Sequence, residues 1–228
     1  MKPWNLIPIN DNGEKLEQIP RLFNFIEPHP YYKLGAPYKN KQMLWSLREG
    51  VISRLIKANQ YLQSKKKNYS LILYDSWRPI EVQNFMFNLA LKNECCKKGL
   101  KFDLEIINFY PEIVRNVEKF WAFPSFDKNS PPPHSTGAAI DLTIVDMSGD
   151  LLEMGSDIDE MVENSKPDYY ENSSSENELL WNERRSILKE VMNKSGFAQH
   201  PNEWWHFSYG DQLWAWKNDT EMAIYGQI

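Results

Sequence analysis

One stretch constrains this chain more than any other: Pro133-His134-Ser135-Thr136-Gly137-Ala138-Ala139-Ile140-Asp141-Leu142-Thr143-Ile144. Ala138, Ile140, Leu142 and Ile144 alternate with Ala139, Asp141, Thr143 and Val145, the period-two pattern of a half-buried strand. Gly137 lets the backbone turn sharply between the histidine and that strand. An ionised aspartate among apolar neighbours is costly unless something cationic compensates it. Arginine, lysine or a metal ion could do so, and the histidine upstream makes metal the sharper expectation. The rest of the chain must supply the remaining ligands.

At 228 residues, 42% hydrophobic and 25% charged, the chain has the size and composition of one soluble globular domain spanning 1–228. A net charge of −5 and the lack of a basic stripe argue against nucleic-acid binding. Lys65-Lys66-Lys67 closes a helical segment, where cations suit the helix dipole. No apolar run reaches membrane-spanning length and the first residues carry no signal-peptide core, so the expectation is a cytoplasmic protein without a membrane partner. Adjacent Cys95 and Cys96 read as free thiols of a reducing compartment.

Periodicity predicts helices over 43–65, 79–98 and 177–195, with Gly196 ending the last. Another segment, 103–120, should be split by Pro111. Ser70–Asp75 reads as a buried strand, and Glu203–Tyr209 as an aromatic one. Ser148-Gly149-Asp150 reads as a hairpin turn, and residues 164–177 as a mobile surface loop. Arg78 falls at a strand-to-helix corner, where side chains point into clefts, although it could pair with Asp75 or Glu81 instead.

Glu203 and His206 complete a chemical set. A catalytic zinc site keeps three ligands from among His, Asp, Glu and Cys and leaves a fourth position open. His134, Asp141 and His206 form such a set, with Glu203 placed to act as general base. In a regular strand, residues 203 and 206 would face opposite sides. A shared site therefore requires a turn or bulge near Glu203 and Trp204, with the strand starting near Trp205. Arg78 can stabilise the oxyanion that forms when water attacks an amide carbonyl. His29 and His200, beside prolines, read as surface or supporting residues, and Trp204 and Trp205 as core and cleft-wall aromatics.

His134 to Asp141 together with Glu203-Trp204-Trp205-His206 resembles the D-alanyl-D-alanine dipeptidase family of zinc peptidases. Tyr74-Asp75-Ser76-Trp77-Arg78-Pro79 is similar to its arginine motif, and Met154-Gly155-Ser156-Asp157-Ile158-Asp159 to its acidic substrate-binding segment. Arg184-Arg185 and Ser195-Gly196-Phe197 match in the same order. The resemblance implies an α+β fold, with a central antiparallel sheet and flanking helices, that hydrolyses the dipeptide D-Ala-D-Ala. It implies one Zn2+ on His134, Asp141 and His206, Glu203 as base and Arg78 as transition-state stabiliser. Asp159 would meet the substrate's ammonium group. One departure is Pro132, where the family usually carries serine; no hydroxyl or N–H is available there. Two other readings compete: a D,D-carboxypeptidase or endopeptidase acting on longer cell-wall peptides, and a non-catalytic zinc-binding interaction module. Oligomeric state is not legible in the sequence, and Tyr31, Tyr32 and Tyr38 receive no role.

Overall fold

The structure is a computed structural model and describes residues 2–103 and 105–228. A 3-10 turn at Pro3–Leu6 precedes β1 (Leu16–Gln18), β2 (Asn24–Phe25) and the short helix α1 (Pro30–Lys33). Next come β3 (Ser46–Arg48), α2 (Glu49–Lys65), β4 (Ser70–Asp75) and α3 (Ile80–Lys97). The chain continues through α4 (Ile106–Phe109), α5 (Pro111–Glu118), β5 (Ala139–Val145) and α6 (Glu176–Lys194). It closes with β6 (Ala198–Gln199), β7 (His206–Ser208) and α7 (Gln212–Lys217).

The architecture is α+β, built on a five-stranded sheet in the order β2-β4-β5-β7-β6. Pairings β4–β5, β5–β7 and β6–β7 are antiparallel, as expected, while the two-residue edge strand β2 joins β4 in parallel. Strand β5 lies in the middle of the sheet, and all seven of its residues are buried rather than one face alone. Ile140, Leu142 and Ile144 pack with Leu55 and Leu62 of α2 and Leu188 and Val191 of α6. Each such side chain contributes about 1.5–3 kcal/mol on leaving water. Strand alternation then turns Asp141 and Thr143 to the opposite face. Phe87 and Leu91 of α3 meet Val117 of α5 and Trp121 in a second apolar cluster.

Several local expectations change. The helix expected from residue 43 starts at Glu49, because Ser46–Arg48 instead pairs antiparallel with Leu16–Gln18. The apolar spacing of Leu44 and Leu47 fits a helix, but tertiary pairing decides. Pro111 does separate two helices, and it opens α5 at a position where its missing N–H costs nothing. Helix α6 begins after Ser175, two residues before the expected cap at Asn177.

The segment 164–177 is not a loose loop. Tyr170 is 3% exposed and donates to the Gly155 carbonyl at 2.8 Å. Gly155 has a φ of +84°, and a Cβ there would lie 2.5 Å from the Tyr170 ring. An aromatic ring thus clamps the segment onto its neighbour.

Candidate active site

Strand register does most of the assembly. Asp141 on β5 lies directly opposite His206 on β7, so both side chains rise from the same face. Across the other edge, Asp141 is opposite Asp75, where β4 shifts register between Leu73 and Asp75. That irregularity re-aims Asp75 toward the same face. His134 arrives from a 3-10 turn, Pro133–Thr136, which ends at Gly137 with a φ of +71°. A Cβ at Gly137 would meet Leu16 Cδ1 at 2.8 Å, so the sharp turn depends on glycine.

Ligand atoms converge as a result. Asp141 Oδ1 is 3.0 Å from His206 Nδ1, and Asp141 Oδ2 is 3.2 Å from His134 Nε2. The two imidazole nitrogens are 3.1 Å apart. His134 Nδ1 is 2.7 Å from the Ser76 carbonyl, which can only accept, so Nδ1 carries the proton and Nε2 keeps its lone pair. His206 Nε2 lies 3.3 Å from Ser208 Oγ, which leaves Nδ1 directed at Asp141. Burial works against the charge on Asp141, yet His134 and His206 hold its carboxyl far below the usual carboxylate range.

Arg78 stands beside this set. Its Nε and Nη2 donate to Asp75 Oδ2 at 3.0 and 2.7 Å, and Nη1 donates to Gln83 Oε1 at 2.8 Å. Nη2 also reaches the Tyr31 hydroxyl at 3.2 Å and Asp141 Oδ2 at 3.5 Å. The guanidinium packs against the rings of Tyr31 and Trp121. Asp75 is fully buried, with His29 Nε2 at 3.2 Å and the Tyr38 hydroxyl donating at 3.3 Å. Despite its burial, Arg78, His29 and His134 keep Asp75 ionised below the usual range. Pairing with Asp75 and presence in the cleft are therefore compatible for Arg78, because it does both.

Asp159 closes one flank. Tyr31 donates to its Oδ2 at 2.8 Å, so that hydroxyl bridges Arg78 and Asp159. The residue has a φ of +67°, a left-handed conformation that aspartate tolerates better than most. Part of its surface opens to the cleft, but its carboxyl is packed away from water. Burial, reinforced by Asp141, pushes the carboxyl up to about 7. The Asp159 segment is held by Arg185 of α6, which donates to the Met154 and Lys166 carbonyls at 2.7 and 2.9 Å. Trp204 Nε1 donates to Ser156 Oγ at 2.9 Å from the other side.

Glu203 precedes β7, and the strand begins only at His206. The bend at Trp204 and Trp205 lets Glu203 and His206 share one site, with Oε2 3.7 Å from His206 Nδ1. Glu203 is 5% exposed, and its Oε1 has no hydrogen-bond partner among the described residues. Burial, with Asp141 adding to it, raises its pKa well above the ordinary range. His200 lies behind it, Nδ1 to Oε1 3.2 Å. Neither His200 nor His29 is on the surface; each supports a buried carboxylate.

Arg78, His134, Asp141, Asp159, Glu203 and His206 line a cavity of about 690 Å3. Asp75 and Asp141 both stay ionised beside the one guanidinium of Arg78, which leaves a net negative charge for a cation to compensate. The donor atoms of His134, Asp141 and His206 all lie within 4.8 Å of one another. Two imidazoles and one carboxylate suit zinc.

The family model described as D-Ala-D-Ala dipeptidase matches residues 26–224. This chain belongs to the D-Ala-D-Ala dipeptidase family. It is 36% identical to a D-alanyl-D-alanine dipeptidase of Synechocystis, over 100% of this chain and 97% of the relative. An Enterococcus faecium protein of the same name is 33% identical over 69% of this chain and 70% of its own length. Among solved structures, VanYB in complex with D-alanine-D-alanine aligns at a TM-score of 0.46 and 15% identity, covering 90% of this chain and 86% of that one.

In this member of the dipeptidase family, all six residues singled out in the sequence line one cavity: Arg78, His134, Asp141, Asp159, Glu203 and His206. Sequence reasoning missed Tyr31, which touches both Arg78 and Asp159, and the part played by Gln83; for His29 and His200 it allows a supporting role without naming the carboxylate each one meets. Tyr31 sits in an aromatic, proline-punctuated region without periodicity, so nothing local marked it. His29 and His200 offered only their residue type.

Proposed function

We infer that this chain is a metallopeptidase that hydrolyses D-Ala-D-Ala to two D-alanines, acting as one unit over residues 1–228. The observation that carries the reading is the convergence of two histidines, one aspartate, a buried glutamate and a guanidinium in one cavity, within a chain of this family. His134 Nε2, Asp141 and His206 Nδ1 would hold one Zn2+. A bound zinc ion supplies Lewis acidity and lowers the pKa of a coordinated water from 15.7 toward about 7.

The chain's own residues supply the rest. Glu203, buried and raised in pKa, takes a proton from the attacking water and returns it to the departing amine. Arg78, fixed by Asp75 and Gln83, presents charge to the carbonyl oxygen as it becomes negative. Asp159, with Tyr31 behind it, takes the substrate's ammonium group. Pro132 lines the same cavity and has no side-chain hydroxyl to offer, so the ammonium group depends more heavily on Asp159 here. The substrate is small enough to need no membrane or nucleic-acid partner, and no described helix is long and apolar enough to cross a membrane. The unpaired thiols of Cys95 and Cys96 suit a cytoplasmic location.

The test is metal analysis combined with a hydrolysis assay on D-Ala-D-Ala and on longer stem peptides, before and after chelation. About one zinc per chain and chelator-sensitive release of D-alanine, with little action on stem peptides, is the expected result. Stem-peptide cleavage in preference would move the protein to the carboxypeptidase class. Zinc binding without any hydrolysis would leave an interaction module.

A further inference from the structure

We propose that Lys2 forms the subsite for the free C-terminal carboxylate of the substrate, so that the enzyme is built for zwitterionic dipeptides with both termini unblocked. The inference rests on the dipeptidase reading of the same cavity and adds to it a second recognition end.

Lys2 lines that cavity together with Trp4, Glu203 and His206. Its ammonium makes one hydrogen bond, to the Lys119 carbonyl at 3.1 Å, and lies 5.3 Å from the Trp4 ring. Among the described residues, no carboxylate comes within ion-pair distance of it. Partial burial lowers its pKa below the usual lysine value, against the opposing effect of Glu203 and Glu118. A cation left in this state inside a ligand cavity lacks a partner that a bound carboxylate would provide.

The position is fixed, not incidental. Trp4 is 6% exposed and packs edge-on against His200, with centroids 5.6 Å apart. Gln212 Nε2 donates to the Ile7 carbonyl at 2.6 Å, which ties the 3-10 turn following Lys2 to α7. The cleft also has a polarity. Lys2 Nζ and Asn202 Nδ2 both donate to the Lys119 carbonyl, at 3.1 and 3.0 Å, which puts Lys2 beside the Asn202-Glu203 segment, while Asp159 is held by Tyr31 on the flank of Arg78. From Glu203 a run of contacts leads through His206, Asp141, Arg78 and Tyr31 to Asp159. An ammonium held at Asp159 and a carboxylate held at Lys2 would bracket a peptide bond near Glu203. Arg115 and Lys119 line the cavity as well and add positive potential around it.

The experiment compares D-Ala-D-Ala with its C-terminal amide in wild-type, Lys2→Met and Lys2→Arg proteins. Wild type should favour the free acid. Lys2→Met should lower kcat/KM for the acid about ten-fold, mainly through KM, while leaving the amide unchanged; Lys2→Arg should restore the preference. Equal loss on both substrates, or no loss on either, overturns the proposal. Calorimetry on zinc-loaded Glu203→Gln protein, with and without Lys2→Met, reads the same preference in binding alone. If wild type hydrolyses neither compound yet binds the acid more tightly through Lys2, the subsite stands and the dipeptidase reading falls. If hydrolysis of D-Ala-D-Ala is normal and Lys2→Met leaves the acid–amide preference intact, only the subsite falls.

Discussion

Asp141 and Asp159 face the same cavity but are held there by different means. Asp141 sits in the middle of the sheet, opposite His206 on one side and Asp75 on the other, and hydrogen-bonded strands set its place. Asp159 sits in a segment without regular structure, at a left-handed φ, held by side chains reaching in from α6, Trp204 and Tyr31. Their protonation differs accordingly. Asp141 stays ionised far below the usual range because two imidazoles face it, whereas burial and the nearby charge of Asp141 push Asp159 up to about 7. Of the proposed metal ligands, Asp141 and His206 are set by strand register, which tolerates little displacement, and His134 by the tight turn just before β5. Groups that recognise a substrate come from a clamped segment, which can vary without disturbing the sheet.

The sharpest way to break this contrast is Asp141→Asn. It should abolish stoichiometric zinc binding, and with it hydrolysis, while Asp159→Asn leaves zinc content unchanged; metal analysis of the two purified variants decides. If both lose zinc, the two regions are not independent.

Arg78→Ala comes next. Loss of one oxyanion donor costs roughly 100- to 1000-fold in kcat. Because Arg78 also neutralises buried Asp75, the variant should lose about 3–5 kcal/mol of stability as well. Denaturant melts of Arg78→Ala against the double variant Arg78→Ala/Asp75→Asn test this, since removing the stranded charge should recover part of the loss. Unchanged turnover in the single variant would take Arg78 out of the chemistry.

Arg185→Ala addresses the clamp. Three hydrogen bonds to Met154, Lys166 and Ser156 would go, so KM should rise about ten-fold with zinc content unchanged. A fall in zinc occupancy would mean that the segment supports the metal site after all.

The smallest effect is a pH dependence. Asp159 is protonated below about 7 and can attract an ammonium group only above it. The kcat/KM for D-Ala-D-Ala should therefore rise with pH through about 7, and Asp159→Asn should lack that limb. Linkage gives the opposite sign for stability. A carboxyl whose folded pKa exceeds its unfolded value costs stability as pH climbs between the two, so Asp159→Asn should melt higher than wild type at pH 8 and alike at pH 3.

Much of the site is legible in the residues themselves. His134, Asp141, Glu203, His206 and Arg78 stand out because each is a reactive residue type in a telling local setting: a turn before a strand, an anion in an apolar run, a strand-to-helix corner. The bend before His206 follows from chemistry, since Glu203 and His206 could not otherwise share a face. Local patterning serves less well where distant segments compete for the backbone. Residues 43–48 carry helical spacing, yet Ser46–Arg48 pair with β1, and 164–177 carries the composition of a loop but is pinned through Tyr170.

What the sequence by itself determined was the reactive inventory and the main elements, because hydrophobic period, glycine and proline act over a few residues. Tertiary structure alone decided how that inventory is supported. Tyr31 bridges Arg78 and Asp159, His29 backs Asp75, His200 backs Glu203, and Lys2 reaches the cavity from the far end of the chain. Those pairings join residues remote in sequence, and a side chain's partner across the fold leaves no trace in its own neighbours.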